Sequence, residues 1–231
     1  EEGWDVLNAK VKTEDGDRTI CCVIESIVNH YCSGTPNGIY MDKQTKLIYS
    51  PSHFTWMDTN FPAATPRQGL TVENNARWIE VLDFWVTILR RMGLGESAKE
   101  VEQLALEARE NFLRFFWMED QGYLADNIWM EPGQAPSIKN RDRAIRPNQL
   151  IAVMTPSLLS QEQKRKVVEV TRSKLLVPCG LRSLSEDTRS QEHFPFRGHY
   201  QGPENDSMDW PNRKLAYHNG TVWMHVYGDW V

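Results

Sequence analysis

Asp58 closes the run Ser52-His53-Phe54-Thr55-Trp56-Met57-Asp58, which sets one carboxyl group behind two large aromatic rings and a thioether. Desolvation disfavours the charged form of a carboxyl, so a side chain lying against Phe54, Trp56 and Met57 is expected to hold a proton near neutral pH. A general acid requires that property. A purely local role is open to the same residue, because an Asp followed by Thr59 and Asn60 can cap a turn or the chain that follows. The whole stretch from Ser52 to Glu73 is too rich in Pro and Thr for a helix interior and too aromatic for an idle linker, so it reads as a functional loop.

Phe54-Thr55-Trp56-Met57-Asp58, followed by Thr65-Pro66-Arg67-Gln68-Gly69 and by Val72-Glu73, resembles the signature of the glycogen debranching enzymes in their amylo-alpha-1,6-glucosidase domain. Arg146-Pro147-Asn148-Gln149-Leu150 and Ala216-Tyr217-His218-Asn219-Gly220-Thr221-Val222-Trp223 agree in the same order. The resemblance runs from about Gly38 to Trp223 and is closest to bacterial-type members. It implies hydrolysis of single alpha-1,6-linked glucose stubs in glycogen-derived dextrins, by an inverting mechanism and without a cofactor. Asp58 would then be the acid, with Trp56, Tyr217 and Trp223 as aromatic walls and Arg67, Glu73, Arg146, Asn148, Gln149 and His218 as further substrate contacts. The partner implied is a branched alpha-glucan or malto-oligosaccharide.

Inversion needs a second carboxylate roughly 6.5–9.5 Å from the acid, leaving room for water. Here the sequence departs from the pattern. Animal and fungal relatives carry a Glu in His-Gln-Gly-Pro-Glu-Trp, where this chain has His218-Asn219-Gly220-Thr221-Val222-Trp223, and Val222 cannot be a base. Bacterial-type relatives share the Thr-Val pair and carry a Glu in a later loop, so the base is expected beyond Val231. Within the chain, Glu204 is the substitute by position, with Asp206 and Asp209 beside it; a solvated acidic loop accounts for the same residues. Other residues also admit two readings. Arg67 and Glu73 either pair with each other or bind sugar hydroxyls; Arg146, Asn148 and Gln149 line a pocket or begin a helix with Asn148 and Gln149 facing solvent; His218 contacts sugar or is a hydrogen-bonded structural residue. Two alternatives keep the sugar site but change the function: a non-catalytic carbohydrate-binding protein, and another inverting toroidal glycosidase acting on a different alpha-glucoside or on trehalose.

The elements that must position these residues follow from periodicity. Ile20, Val23, Ile24, Ile27, Val28 and Tyr31 fall on one helical face, and Gly34 ends that helix. Ile39-Tyr40-Met41 and Leu47-Ile48-Tyr49 flank polar residues as a short hairpin. Asn74 to Met92 is a second helix, apolar on Trp78, Ile79, Leu82, Trp85, Val86 and Leu89, with Val81, Phe84 and Ile88 widening the arc as for an inner helix. Ser97 with Glu100 forms a capping box for a third, outer helix carrying Val101, Leu104, Ala105, Ala108, Phe112 and Phe115. Gly122 to Asp126 is a short extended piece and Glu131 to Arg146 a long surface loop. Pro147 starts a helix through Met154, and Ser160 with Gln163 caps another to about Leu176. Val177 to Lys214 is a further long loop. Alternating inner and outer helices indicate an all-α domain over 1–231, an (α/α)6 toroid with short β-hairpin insertions. About six helices is half of what a closed barrel needs. The expected accounts are a fragment of a longer enzyme, a truncated product, or half of a self-associated pair.

Composition bounds the partners. A chain of 231 residues with 40% hydrophobic content supports one sizeable core. A net charge of -5 argues against nucleic acid and anionic membranes. No apolar run approaches bilayer length and no signal-peptide pattern begins the sequence. Cys21, Cys22, Cys32 and Cys179 lack C-x-x-C spacing, which fits a reducing cytoplasm. No His or Cys cluster has metal-ligand spacing, and no phosphate loop, nucleophile elbow or dinucleotide fingerprint occurs, so neither metal nor cofactor is expected. The 9 Trp, 7 Tyr and 8 Phe lean toward saccharide contacts, although Trp also fills cores.

Overall fold

The computed structural model describes residues 3–58, 65–187, 196 and 216–224. Among them are five α-helices: α1 (Ile20–Ser33), α2 (Val72–Arg91), α3 (Gly95–Phe116), α4 (Leu150–Met154) and α5 (Gln161–Leu175). The chain is helix-rich, and α2 is its axis. Val72, Ala76, Ile79, Leu82 and Ile88 are fully buried, and Trp78, Trp85 and Leu89 nearly so, which removes most of the helix circumference from water. Phe84 departs from the expected buried arc; it is 46% exposed and stacks on Trp4 with ring centroids 6.2 Å apart.

Helix α3 packs along α2 and turns Ala98, Ala105 and Ala108 inward, with Phe112 and Phe116 closing the far end at 4.7 Å centroid separation. Small residues let the two backbones approach, and the paired phenyl rings fill the wider gap. The start of α3 corrects the sequence expectation. Its helix begins at Gly95, before Ser97, and its cap, Leu94, makes no side-chain hydrogen bond. Gly93, at φ +76°, turns the chain so sharply that Leu94 O already accepts from Ala98 N at 3.0 Å, leaving Ser97 inside the helix. At α5 the capping box does form: Ser160 Oγ accepts from Gln163 N at 3.2 Å, and Ser160 N donates to Gln163 Oε1 at 2.9 Å.

A five-stranded antiparallel sheet joins these helices to the loops, in the order Tyr40–Met41, Ile48–Ser50, Gly69–Thr71, Asn127–Trp129 and Arg141–Asp142. This goes beyond an all-α domain with hairpin insertions, because Gly69–Thr71 pairs with a strand from far along the chain. Each strand has only two or three residues, too few for an alternating pattern to register. The segment expected as a loop from Glu131 to Arg146 is likewise only partly one. Its end supplies the edge strand Arg141–Asp142 and buries Ala144, Ile145 and Arg146. A second small sheet sets Gly180–Arg182 between Leu176–Val177 and Val222–Trp223, interrupting the loop expected from Val177 and bringing the last described segment back to the body. A hairpin of Lys10–Thr13 with Gly16–Thr19 precedes α1, whose first turn is capped by Thr19 Oγ1 accepting from Cys22 N at 3.2 Å.

Candidate active site

Arg67 lies two residues before the strand Gly69–Thr71 that feeds α2, and its side chain is 1% exposed. A buried guanidinium is tolerated only when every donor is used. Nε donates to Asp126 Oδ2 at 2.7 Å, Nη1 to Thr55 Oγ1 at 3.3 Å and to Glu73 Oε1, and Nη2 to Glu73 Oε2 at 2.7 Å and Asp126 Oδ1 at 3.1 Å. Burial by itself would lower the Arg67 pKa, but the Asp126 and Glu73 carboxylates outweigh it and hold it above the ordinary arginine value. Glu73 occupies the first turn of α2, where the helix dipole also favours negative charge. Arg67 and Glu73 are therefore brought together as a buried ion pair, and the guanidinium is engaged by protein acceptors.

Asp126 is the centre of the cluster, and the sequence did not single it out. It is 2% exposed. Its main chain is fixed on both sides, with N donating to Asp142 O at 2.9 Å and O accepting from Val72 N at 3.1 Å. A signal existed: Arg67 and Arg146 were both candidate lining residues, Glu73 was offered as a partner for Arg67 alone, and a second buried cation calls for another carboxylate.

Pro147 sits at the first position of a short 3-10 turn leading into α4, and the flanking polar residues all point inward. Asn148 and Gln149 are 1% and 2% exposed, which excludes the reading in which they face solvent. Gln149 Oε1 accepts from Leu124 N at 3.2 Å and its Nε2 donates to Arg146 O at 3.2 Å. Asn148 Nδ2 donates to Asp126 Oδ1 at 2.7 Å, while its Oδ1 accepts from Trp56 Nε1 at 2.7 Å. Arg146 Nε stands 3.5 Å from Asp126 Oδ2; Nη1 reaches Ser183 O at 3.0 Å and His218 O at 2.5 Å, and Nη2 reaches Asn219 Oδ1 at 2.9 Å. Burial pulls the Arg146 pKa below the ordinary arginine value, with Asp126 and Asp142 opposing the shift.

Above this polar floor stands an aromatic cluster. Trp56 meets His218 edge to face at 5.3 Å and Trp223 at 6.1 Å, and Tyr217 meets His218 and Trp223, each at 4.8 Å. Trp56, Tyr217 and Trp223 are half-buried, whereas His218 is buried with Nδ1 3.3 Å from Thr65 Oγ1. The structural reading of His218 thus has a partner. Residues separated by more than 150 positions converge here, and the three half-open rings offer flat apolar surface with polar edges.

Asp58 is not enclosed as the sequence pattern led one to expect: its side chain is exposed. The chain turns Met57 fully inward, where its Sδ is 3.7 Å from both Arg146 Nη1 and Asn148 Nδ2, and that leaves Asp58 exposed. Phe54, expected to shield it, is 42% exposed. Glu204, Asp206 and Asp209 lie outside the described residues. Among the described residues no group of three His, Cys, Asp or Glu side chains is spaced to hold a metal, and no helix is long and apolar enough to cross a membrane.

The sequence model of the amylo-alpha-1,6-glucosidase family matches residues 4–231, and the chain belongs to that family of glycoside hydrolases. Among solved structures it is similar to a neutral trehalase from Saccharomyces cerevisiae, with 17% identity and a TM-score of 0.42 over 70% of this chain. The match spans 28% of the trehalase chain, well under a third of its length.

Proposed function

We propose that this chain hydrolyses single alpha-1,6-linked glucose stubs of glycogen-derived dextrins with inversion at the anomeric carbon. Family membership across residues 4–231 is the observation that carries the reading. The cluster of Trp56, Tyr217 and Trp223 supports it as a platform for a sugar ring. In this mechanism Asp58 protonates the departing glycosidic oxygen, and a second carboxylate takes a proton from the water that attacks C1 from the opposite face. Glu204 is the candidate for that base. Asp58 is exposed in the free chain, so the desolvation that an acid of this kind needs comes from bound saccharide displacing water. Arg67, Glu73, Arg146, Asn148 and Gln149 serve the site by holding its walls.

The chain contributes about half of an (α/α)6 toroid and works in the cytoplasm, where its four free cysteines stay reduced. The test is glucose release from a phosphorylase-limit dextrin pretreated to expose its stubs, comparing the chain with Asp58→Asn at matched folding. Loss of the acid is expected to lower release by about 100-fold or more. Undiminished release by the folded variant rejects the assignment. Maltotetraose binding without glucose release by either protein would establish a carbohydrate-binding protein instead.

A further inference from the structure

We infer that Asp126 is a positioning residue that sets the two walls of the candidate site in register, through Asn148 to Trp56 and through Arg146 to the turn at His218 and Asn219. The saccharide role of those walls rests on the function proposed above; the register itself does not.

The argument is one of donor and acceptor polarity. A carboxylate only accepts and an indole N–H only donates. The Asn148 amide between them therefore has one satisfied orientation, Nδ2 toward Asp126 at 2.7 Å and Oδ1 toward Trp56 Nε1 at 2.7 Å. This fixes where the Trp56 ring stands. The second arm runs through Arg146, whose Nε is 3.5 Å from Asp126 Oδ2 and whose terminal nitrogens reach His218 O and Asn219 Oδ1. Trp56 then meets His218 and Trp223, so the two arms close on each other at the aromatic cluster. Asp126 is suited to anchor both because its own backbone is pinned by Asp142 and Val72 and its carboxylate is held by Arg67. Its bonds run to Arg67, Asn148 and main chain, with Arg146 alongside, and through these it acts on the wall.

The experiment uses the full chain labelled with 15N at the indole nitrogens, with Trp56→Phe identifying the Trp56 signal. Two variants are read: Asp126→Asn, and Asn148→Leu, which leaves the ion pairs of Arg67 with Glu73 and Asp126 in place. In each, the Trp56 indole proton is expected to move upfield while the signals of Trp78 and Trp85, buried in α2, stay. Maltotetraose affinity is expected to fall about tenfold. A Trp56 signal at its wild-type position in folded Asn148→Leu overturns the inference, and so does one in folded Asp126→Asn. If Asp126→Asn does not fold, Asp126→Glu, which keeps the charge but displaces the carboxylate from Asn148, decides by the same indole shift. Should the wild-type chain neither bind maltotetraose nor release glucose, the proposed function fails, while the indole shift still decides whether Asp126 sets the register.

Discussion

Arg67 Nε donates to Asp126 Oδ2 at 2.7 Å across 59 residues of chain, joining the entry of α2 to the strand that pairs beside it. That bond is one tine of a fork whose others hold Glu73 and Thr55. An ammonium cannot reproduce this planar set of donors. Arg67→Lys is expected to cost roughly 2 kcal/mol in urea unfolding and Arg67→Ala roughly 3–5 kcal/mol, because the second leaves Glu73 buried without its cation and Asp126 with Arg146 alone. A loss for Lys within about 0.5 kcal/mol of zero, the range of an ordinary surface change, would show that charge alone, and not the fork, holds the hub.

Gly69 is the pivot of the central sheet. Its φ is +125°, and a Cβ there would stand 2.1 Å from Ile128 O, a backbone atom that cannot step aside. Gly69→Ala is expected to cost about 3 kcal/mol or more, from strain and clash together. Gly133→Ala, at φ +76° with nothing within 4 Å of the new carbon, carries the conformational penalty of about 1 kcal/mol without the clash. Equal losses measured for the two by thermal unfolding would contradict the close approach at Ile128.

Asn75 extends the sheet onto α2 by imitating a strand. Its Oδ1 accepts from Ile48 N at 2.7 Å and its Nδ2 donates to Ile48 O at 3.1 Å and Thr71 O at 2.9 Å. Asn75→Ala leaves those buried groups unpaired at an expected cost of roughly 2–4 kcal/mol. Hydrogen exchange at the Ile48 amide should accelerate in step; unchanged protection at that amide would refute the pairing.

The elements that were legible in the sequence are those with enough residues to repeat. The face of α1 apart from Ile27, which is 45% exposed, the core side of α2, the stripe of α3 and the capping box at Ser160 all follow from side chains three and four apart. What escaped was non-local. The strands Gly69–Thr71 and Asn127–Trp129 are three residues each and acquire meaning only from each other. Asp126 is a lone acid after Gly-Tyr-Leu-Ala, and its role exists only once Arg67, Arg146 and Asn148 surround it. At Asp58 the apolar neighbours were present in the sequence, yet adjacency along a chain is not adjacency in space: Met57 took the interior and its neighbour was left outside.

Tyr49 offers the pH test. The residue is 1% exposed and stacks on Tyr40 at 4.8 Å, and its hydroxyl meets no hydrogen-bond partner among the described residues. Burial, with Tyr40 and Glu131 adding to it, pushes the phenol up from 10.0 to about 12. A raised folded-state value means that the native state keeps its proton after the unfolded chain has lost one. The associated stability is whole below pH 10 and is lost as pH rises from there through about 12. The expected loss is about 1.4 kcal/mol by pH 11. Tyr49→Phe should lack that component and lose less stability than wild type between pH 8 and pH 11. At pH 8 it should match or exceed wild type, since it removes a buried hydroxyl that meets no partner among the described residues. Parallel alkaline slopes for the two proteins in urea titrations would mean that the Tyr49 phenol reaches solvent, and with it that the interface between the Tyr40–Met41 and Ile48–Ser50 strands is open.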